Sequence, residues 1–256
     1  RHRGERLVIT YDGFDLSPYL LVRDIGRPLM PPQEITSMSI AGRHGAYFLE
    51  KRHQSVVIPV EVVIFEHLDM SYFELKRFLA GKLNKSEPKP LIFDDEPDKY
   101  INAIIQDQTE IDDLIRSGQG TLNFFCPDPF YYAIEDEVFE FSGAGVYVIN
   151  RQKGNEYSEP LIEIQGTCSG GSIGVRTPFT SVRFSGTLQQ GETLVLDSQL
   201  VTSYIVDGYG NKRSANQHLD SMDFPFLDIE ENEVEFFTEG NATIQKATVY
   251  ARSRWI

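Results

Sequence analysis

Histidines, cysteines and clustered carboxylates are the residues of this sequence that could do chemistry, and none has the spacing of a known catalytic or metal site. The five histidines match neither an H-x-H nor an H-E-x-x-H pattern, so we expect no zinc site. Cys126 and Cys168 fall one in each half of the chain. This arrangement favours free structural thiols over a disulfide framework.

Acidic clusters are the remaining candidates for acid–base catalysis. They are Asp94-Asp95-Glu96, Glu135-Asp136-Glu137, and Glu230-Glu231 with Glu233. Two carboxylates that flank a glycosidic bond are the catalytic groups of glycoside hydrolases. Each cluster, however, falls at a predicted turn or strand end, where solvated carboxylates are expected. The sequence therefore favours a binding or assembly protein that is not an enzyme and uses no cofactor.

Composition and charge narrow the function further. The 256 residues suffice for two domains, each with its own core. A formal net charge of −14 argues against a protein that grips phosphate backbones, which needs clustered Lys and Arg. No apolar run approaches the length that spans a bilayer, so we expect no membrane contact. Because the sequence begins at Arg1 rather than Met, we expect a few residues to precede it.

Strand patterns and one helix organise the N-terminal half. Ile35–Ile40 alternates in polarity and leads into a turn with Gly42 and Gly45, which predicts a hairpin that extends to the valine-rich run ending at Phe65. Pro59 within that run suggests an edge or a bulge. Ser71 and Glu74 form a capping-box pattern before the apolar stripe Phe73-Leu75-Phe78-Leu79-Leu83, which predicts a helix.

The C-terminal half shows strand signals about every ten residues and no helix of useful length. Among them we expect separate strands at Phe224–Ile229, Glu233–Phe237 and Thr243–Ala251, with a turn at Gly240-Asn241. The glycine-rich stretch from Gly166 to Gly174 lacks the ending of a phosphate-binding loop and is expected to be a mobile turn. Strand signals about every ten residues, without a helix, predict a sandwich or jelly roll for this half.

A proline-containing segment, residues 126–133, divides the two halves, and we call it the seam. Pro127 and Pro129 interrupt the strand pattern because each lacks an N–H and restricts the residue before it. The aromatics that follow, Phe130, Tyr131 and Tyr132, are expected to pack against one or both domains. We therefore place the domains at residues 1–134 and 135–256.

Several short motifs, in their order and spacing, make this sequence resemble the distal tail proteins of siphophages that infect Gram-positive bacteria. The motifs are the Asp12-Gly13 turn, Gly42-Arg43-His44-Gly45, the single helix, Leu91-Ile92-Phe93-Asp94-Asp95-Glu96-Pro97 with Tyr100, Asp128-Pro129-Phe130-Tyr131-Tyr132, Asn150, Pro160–Gly166, Gly191–Asp197, and Leu227 with Asn232. The resemblance covers nearly the whole chain.

That resemblance implies a mainly β fold, with an N-terminal β-sandwich that carries one α-helix and a long β-hairpin, and a C-terminal galectin-like jelly roll. It implies a structural hub protein of the virion, made in the host cytoplasm and placed at the distal end of the tail. The N-terminal domain would form a homohexameric ring, alone or as two stacked rings, with a channel through which DNA passes without specific binding.

Partners and site residues follow from the same resemblance. The ring would meet the tail tube protein on one face and a tail-tip protein, with its lysin or fibre, on the other; the outer domain would support a receptor-binding protein. We expect the ring interface to lie between Ser37 and His53. Its candidate residues are Ser37, Arg43, His44, Tyr47, Phe48 and His53.

Three alternatives remain open on the sequence. A free carbohydrate-binding, lectin-like protein would show exposed aromatics clustered on one face. A jelly-roll glycoside hydrolase would line a groove with a carboxylate pair, for example among Glu230, Glu231 and Glu233. A hub from another tail or tail-like particle would reuse the ring domain. Fold alone does not choose among them.

Overall fold

The computed structural model describes residues 7–64, 70–106 and 119–256, and the chain divides into two compact units. The first comprises residues 1–134 with Ile256, and the second comprises residues 135–255. Both consist mainly of β-strands, and in the described part of the chain the α-helix lies in the first unit. The mainly β class with one helix, expected from the sequence, is confirmed.

Ten strands and the helix make up the first unit. They are β1 (Ile9–Tyr11), β2 (Phe14–Asp15), β3 (Leu20–Ile25), β4 (Gln33–Met38), β5 (Tyr47–His53), β6 (Val56–Ile64), α1 (Tyr72–Leu83), β7 (Lys89–Phe93), β8 (Lys99–Ile105), β9 (Gln119–Cys126) and β10 (Tyr131–Ala133).

The main sheet of this unit curls until its two ends meet. Its strands follow the order β2-β1-β7-β8-β9-β6-β3, with β10 paired to β8. A bridge between Leu7 and Val22 then joins β3 to the residue two positions before β1. The inward-facing side chains of β1, β6, β7 and β9 form one core with Leu75 and Leu79 of α1. Curling in this way pairs strand edges that would otherwise be open.

Pro59 lies in the interior strand β6, where the sequence suggested an edge or a bulge. Gly26 donates its N–H to the Pro59 carbonyl over 2.8 Å, and Gln106 donates to the Asn123 carbonyl opposite over 2.9 Å. Because the N and O atoms of one residue point to the same side of an antiparallel strand, the Pro59 nitrogen faces the space just past the end of β3. Pro59 and Asn123 form a non-hydrogen-bonded pair between β6 and β9, so the missing N–H of Pro59 removes no hydrogen bond from that strand pair.

Helix α1 begins as the capping pattern predicts. The N–H and the hydroxyl of Ser71 both donate to the Glu74 carboxylate, over 2.8 and 2.7 Å. These contacts lower the pKa of Glu74, the hydroxyl contact contributing most. Leu75 and Leu79 are buried as expected, whereas Phe73 is exposed and does not belong to the buried stripe. Phe73 precedes Leu75 by two residues, roughly half a helical turn, so it points away from the side that faces the core.

The second unit contains nine strands and a short 3₁₀ turn. They are β11 (Val138–Phe141), β12 (Gly145–Asn150), β13 (Leu161–Arg176), β14 (Ser181–Phe184), β15 (Thr193–Asp197), β16 (Thr202–Val206), β17 (Lys212–Ser214), η1 (Asn216–His218), β18 (Glu231–Tyr250) and β19 (Arg254–Trp255).

Two long strands, β13 and β18, organise this unit. The first half of β13 pairs with β15 and its second half with β14, while β18 pairs with β12 along its first half and with β11 along its last residues. Between β13 and β18 the register shifts at Gln165/Gly166 and again at Cys168/Gly171. Bulges of this kind bend strands, so each long strand contributes to two layers around one core.

The structure of the second unit contradicts three local expectations from the sequence. The stretch from Gly166 to Gly174 is part of β13, not a mobile turn, and Gly240-Asn241 lies inside β18, not between two strands. A Cβ on Gly166 would lie 2.0 Å from the Thr243 carbonyl oxygen, so close approach explains this glycine. The expected strand Phe224–Ile229 is also wrong, since this segment makes a single bridge from Leu227 to Ser158.

Candidate subunit interface on an exposed hairpin

Strands β4 and β5 form a two-stranded sheet of their own. Each residue from Glu34 to Met38 and from Tyr47 to Arg52 is exposed. The returning strand is therefore Tyr47–His53, and the valine-rich run, expected to be the second strand of the hairpin, is the interior strand β6. An isolated two-stranded sheet is marginally stable in water, which suggests that this hairpin gains stability from a further contact.

A bulge concentrates apolar side chains on one face of the hairpin. Thr36 pairs with Glu50 and Ser37 with Phe48, so Leu49 is the extra residue. Directly opposed residues share a face, and a bulge places its two residues on the same side. Ile35 and Phe48 thus lie on one face together with Ser37 and Lys51, and Leu49 is the bulge residue next to Phe48. The side chains of Ile35, Phe48 and Leu49 are 62%, 66% and 56% exposed. We call these three residues the apolar face of the hairpin.

The opposite face is polar apart from Tyr47 and Met38 near the turn. Arg52 donates to the Glu50 carboxylate over 2.6 Å, and the Gln54 amide donates to Glu34 over 3.3 Å. The Glu50 contact raises the pKa of Arg52. The two faces therefore differ in chemistry, and the apolar one is the candidate interface.

The turn between the strands has the two glycines in the conformation that the sequence predicts. Gly42 and Gly45 adopt φ values of +79° and +81°, which disfavour other residues. The Arg43 guanidinium lies 4.4 Å from the centre of the Tyr47 ring, within the range of a cation–π contact. His44 is exposed beside them.

The structure brings five of the six expected interface residues to the exposed part of the hairpin. Ser37 and Phe48 face each other across the strands, and Arg43, His44 and Tyr47 lie at or next to the turn. His53 differs, because it is half-buried at the base of the hairpin. Its ring lies edge-on to Phe130, with centroids 5.6 Å apart.

Several exposed apolar residues of this region are not among the six candidate residues. They are Ile35, Met38, Ile40 and Leu49, all about half exposed or more. The expected interface range Ser37–His53 includes Met38, Ile40 and Leu49, and the alternation of Ile35–Ile40 is the sequence signal for the strand that carries Ile35. No pattern in the sequence indicates the bulge at Leu49.

The seam residues pack within the first unit. Tyr132 is buried, donates its hydroxyl to Asp128 over 2.6 Å, and lies 5.8 Å from the Tyr100 ring. Tyr131 is half-buried in the core of the unit, and burial raises its pKa to about 12. Pro129 is buried whereas Pro127 is exposed.

Two of the acidic clusters have structural partners. In the turn after β7, Asp95 and Glu96 pair with Arg27, and Glu96 also accepts from Lys99 over 2.8 Å. After the seam, the Glu137 carboxylate accepts the backbone N–H groups of Gln152 and Lys153. These carboxylates organise turns, in keeping with a structural role.

Buried thiols and metal-ligand geometry give no support for catalysis. Burial raises the pKa of the Cys126 thiol to about 12, and Cys168 is also buried. Within residues 7–64, 70–106 and 119–256, no three His, Cys, Asp or Glu side chains come together as a metal site would require. In the same ranges no helix is long and apolar enough to cross a membrane.

Comparison with known proteins relates this architecture to phage tails. Residues 14–126 match the family described as the phage tail protein RIFT-related domain. The distal tail protein of Bacillus phage SPP1 is 28% identical over 198 residues, which cover 74% of this chain and 76% of that protein. The chain thus contains a phage tail domain and is similar over about three quarters of its length to a siphophage distal tail protein.

Two solved structures from phage tails show the same fold. The crystal structure of the SPP1 distal tail protein superposes with a TM-score of 0.74 at 16% identity, covering 98% of this chain and all of that one. A chain of the phage p2 baseplate superposes with a TM-score of 0.51 at 11% identity, covering 94% and 97%.

The similarity to a distal tail protein indicates the broad role of the chain. Distal tail proteins are structural components of the virion at the far end of the tail, and they are not enzymes. The glycoside hydrolase alternative is thereby set aside. Assembly with other tail proteins belongs to this role.

Proposed function

We propose that this chain is the hub protein of its tail and assembles into a homohexameric ring through the β4–β5 hairpin. The observation that carries the proposal is the apolar face formed by Ile35, Phe48 and Leu49. Apolar area removed from water stabilises by about 25 cal/mol per Å², so covering three large side chains favours association. A closed ring needs two different surfaces on each subunit, and the hairpin supplies one of them.

The hairpin residues have distinct parts in this interface. Ser37 and Phe48 contact the neighbouring subunit, and Arg43, His44 and Tyr47, which lie at or next to the turn, are at the rim. His53 anchors the hairpin to its own subunit through Phe130. Residues 1–134 form the ring, and residues 135–256, as a galectin-like domain, extend outward from it.

The partners follow from the place of a hub in the tail. The tail tube protein sits on one face of the ring, and a tail-tip protein with its lysin or fibre sits on the other. The outer domain supports a receptor-binding protein. In support, the SPP1 relative is described as a hub of the adsorption apparatus of phages that infect Gram-positive bacteria, and the p2 relative belongs to a baseplate.

The charge of the chain suits a channel for DNA. With 38 acidic and 24 basic residues, the subunit carries a formal charge of −14. A channel wall of the same sign as the phosphate backbone releases no counterions and does not retain the nucleic acid. DNA thus passes through the ring without specific binding.

Light scattering and negative-stain microscopy test the ring. The parent chain is expected to scatter as six times the 29.1 kDa subunit, or as twelve if two rings stack, and to show a six-fold ring with a central hole. Phe48→Asp places a charge on the apolar face and should yield monomers. The matched control is Leu200→Asp, at a site 70% exposed in the second unit, which should leave the ring intact.

Two results would overturn the proposal. One is a parent protein that stays monomeric at high micromolar concentration. The other is a ring that forms equally well with Phe48→Asp, because the hairpin would then lie outside the interface.

A further inference from the structure

Three aromatic side chains form an exposed cluster on the second unit. The Phe179 and Phe226 rings are stacked, with centroids 5.5 Å apart and planes within 17°. The Tyr157 ring meets Phe226 edge-on at 6.1 Å. Phe179 is 70% exposed and Tyr157 is 43% exposed, while Phe226 is half-buried between them. We call these three residues the aromatic platform.

The rings come from three separate segments, and buried Arg151 ties two of them together. Its guanidinium donates to the carbonyl oxygens of Glu156, Leu227 and Asp228 over 3.0 to 3.2 Å. These acceptors are neighbours in sequence of Tyr157 and Phe226. Ser158 and Leu227 also exchange two backbone hydrogen bonds of 2.8 and 2.9 Å.

Separate contacts fix Tyr157 and Phe179. The buried Arg254 donates to the Tyr157 carbonyl over 2.7 Å and lies 4.6 Å from the centre of its ring. The buried Thr177 hydroxyl oxygen accepts the N–H groups of Phe179 and Thr180 over 3.3 and 3.1 Å. Three rings held in place by buried polar groups bind with little loss of conformational freedom, unlike apolar side chains that are exposed by chance.

From this geometry we propose that the aromatic platform binds a neutral carbohydrate chain. The C–H groups of a pyranose ring pack flat against an aromatic face, and the open face of Phe179 offers such a surface. Sugar hydroxyls need donors and acceptors at the edge of the stacked ring, as ligand sites generally combine apolar walls with a few polar groups. Tyr157 and the exposed Asp228 supply them.

Charge selects a neutral glycan over a phosphorylated polymer. The cations of these segments already have partners: Arg254 pairs with Glu159 at 3.0 Å, Arg176 pairs with Glu235 at 3.0 Å, Lys153 donates to the Glu135 carbonyl over 2.7 Å, and Arg151 is enclosed by carbonyls. Asp228 and Glu230 are exposed beside Phe226. An anionic chain would meet like charge without a free cation to offset it.

The open ring face of Phe179, which is 70% exposed, favours a sugar over a protein. A protein partner inserts its own apolar anchors into a pocket, and the centre of such an interface excludes water. The platform instead presents ring faces in the open. A glycan contact at this site is compatible with the ring and does not depend on it.

Binding of the full-length chain to a printed array of neutral and phosphorylated bacterial glycans tests the proposal, with affinity for the retained glycan measured by calorimetry. We expect neutral glycans to be retained. Phe179→Ala and Tyr157→Phe should each weaken binding, the former about tenfold, since an aromatic contact contributes up to about a factor of ten. Leu200→Ala is the control and should bind as the parent does.

Folding and assembly are checked separately from binding. Phe179 is largely exposed, so Phe179→Ala should keep the parent unfolding midpoint and ring size. No retention of any neutral glycan, retention of phosphorylated glycans alone, or equal affinity with Phe179→Ala would each overturn the proposal. Loss of a co-purifying tail protein with Phe179→Ala, without glycan binding by the parent, would instead identify a protein-docking surface.

Discussion

The imidazole ring of His53 stands edge-on to the phenyl ring of Phe130, with centroids 5.6 Å apart and planes at 74°. His53 ends β5, the second strand of the exposed hairpin, and Phe130 lies four residues before the end of the first unit. The contact therefore joins a residue expected in the ring interface to a residue of the seam. It gives the hairpin base a fixed point within its own subunit.

This contact should be measurable as a coupling energy. Aromatic pairs contribute about 0.5–1.5 kcal/mol beyond their buried area, so a double-mutant cycle of His53→Ala and Phe130→Ala should give about 1 kcal/mol in the unfolding of the first unit. Urea unfolding followed by fluorescence provides the free energies. Additive effects of the two substitutions would show that the rings do not interact.

Arg151 should be among the most sensitive positions of the second unit. Arg151→Met removes the donor to the Glu156 carbonyl, whereas the Leu227 and Asp228 carbonyls keep hydrogen bonds from Ser158 and Asn232. We expect a loss of about 1–3 kcal/mol in the free energy of unfolding, the cost of one group left unpaired. Arg213→Met, which removes an exposed ion pair with Glu192, is the control and should cost less than about 1 kcal/mol.

The bend in β13 should not tolerate a side chain at Gly166. A Cβ there would lie 2.0 Å from the Thr243 carbonyl oxygen, and backbone cannot move aside as a flexible side chain can. Gly166→Ala should destabilise the second unit by about 1–3 kcal/mol, the usual cost of overpacking. Gly208→Ala, where nothing lies within 4 Å of the added atom, should be near neutral in the same thermal melts.

The Asp197–Arg252 ion pair should make the stability of the second unit depend on pH. Burial acts to raise the pKa of Asp197, but the hydrogen bonds and charge of Arg252 together with the backbone N–H groups of Leu200 and Gln199 outweigh it, and the pKa is lowered. A carboxyl with a lower pKa in the folded state binds fewer protons there, so its contribution is complete above the unfolded value, about 3.9, and is lost as the pH falls through the folded one.

Unfolding free energies measured from pH 6 down to about pH 2 test this dependence. Asp197→Asn should flatten the acid side of the profile, since the group that takes up the proton is gone. Arg252→Met should also flatten it by returning the carboxyl to an ordinary or raised pKa. Parent-like slopes in both variants would contradict the assignment.

The N-terminal elements show what local sequence can predict. The start of α1 follows from Ser71 and Glu74 because a capping box uses atoms three residues apart. The hairpin turn follows from Gly42 and Gly45 because positive φ is a property of single residues. The mainly β class and the family resemblance, which rests on an ordered series of turns and strands, were likewise predicted from the sequence.

Tertiary structure alone decided which strands pair and which side chains come together. The valine-rich run could have been the partner of β4, and only the competition for the core made it the interior strand β6. The Leu49 bulge and the bends of β13 and β18 depend on backbone contacts between distant segments, such as Gly166 with Thr243. Tyr157, Phe179 and Phe226 meet for the same reason: non-local pairing, which local patterns do not encode, brings their three segments together.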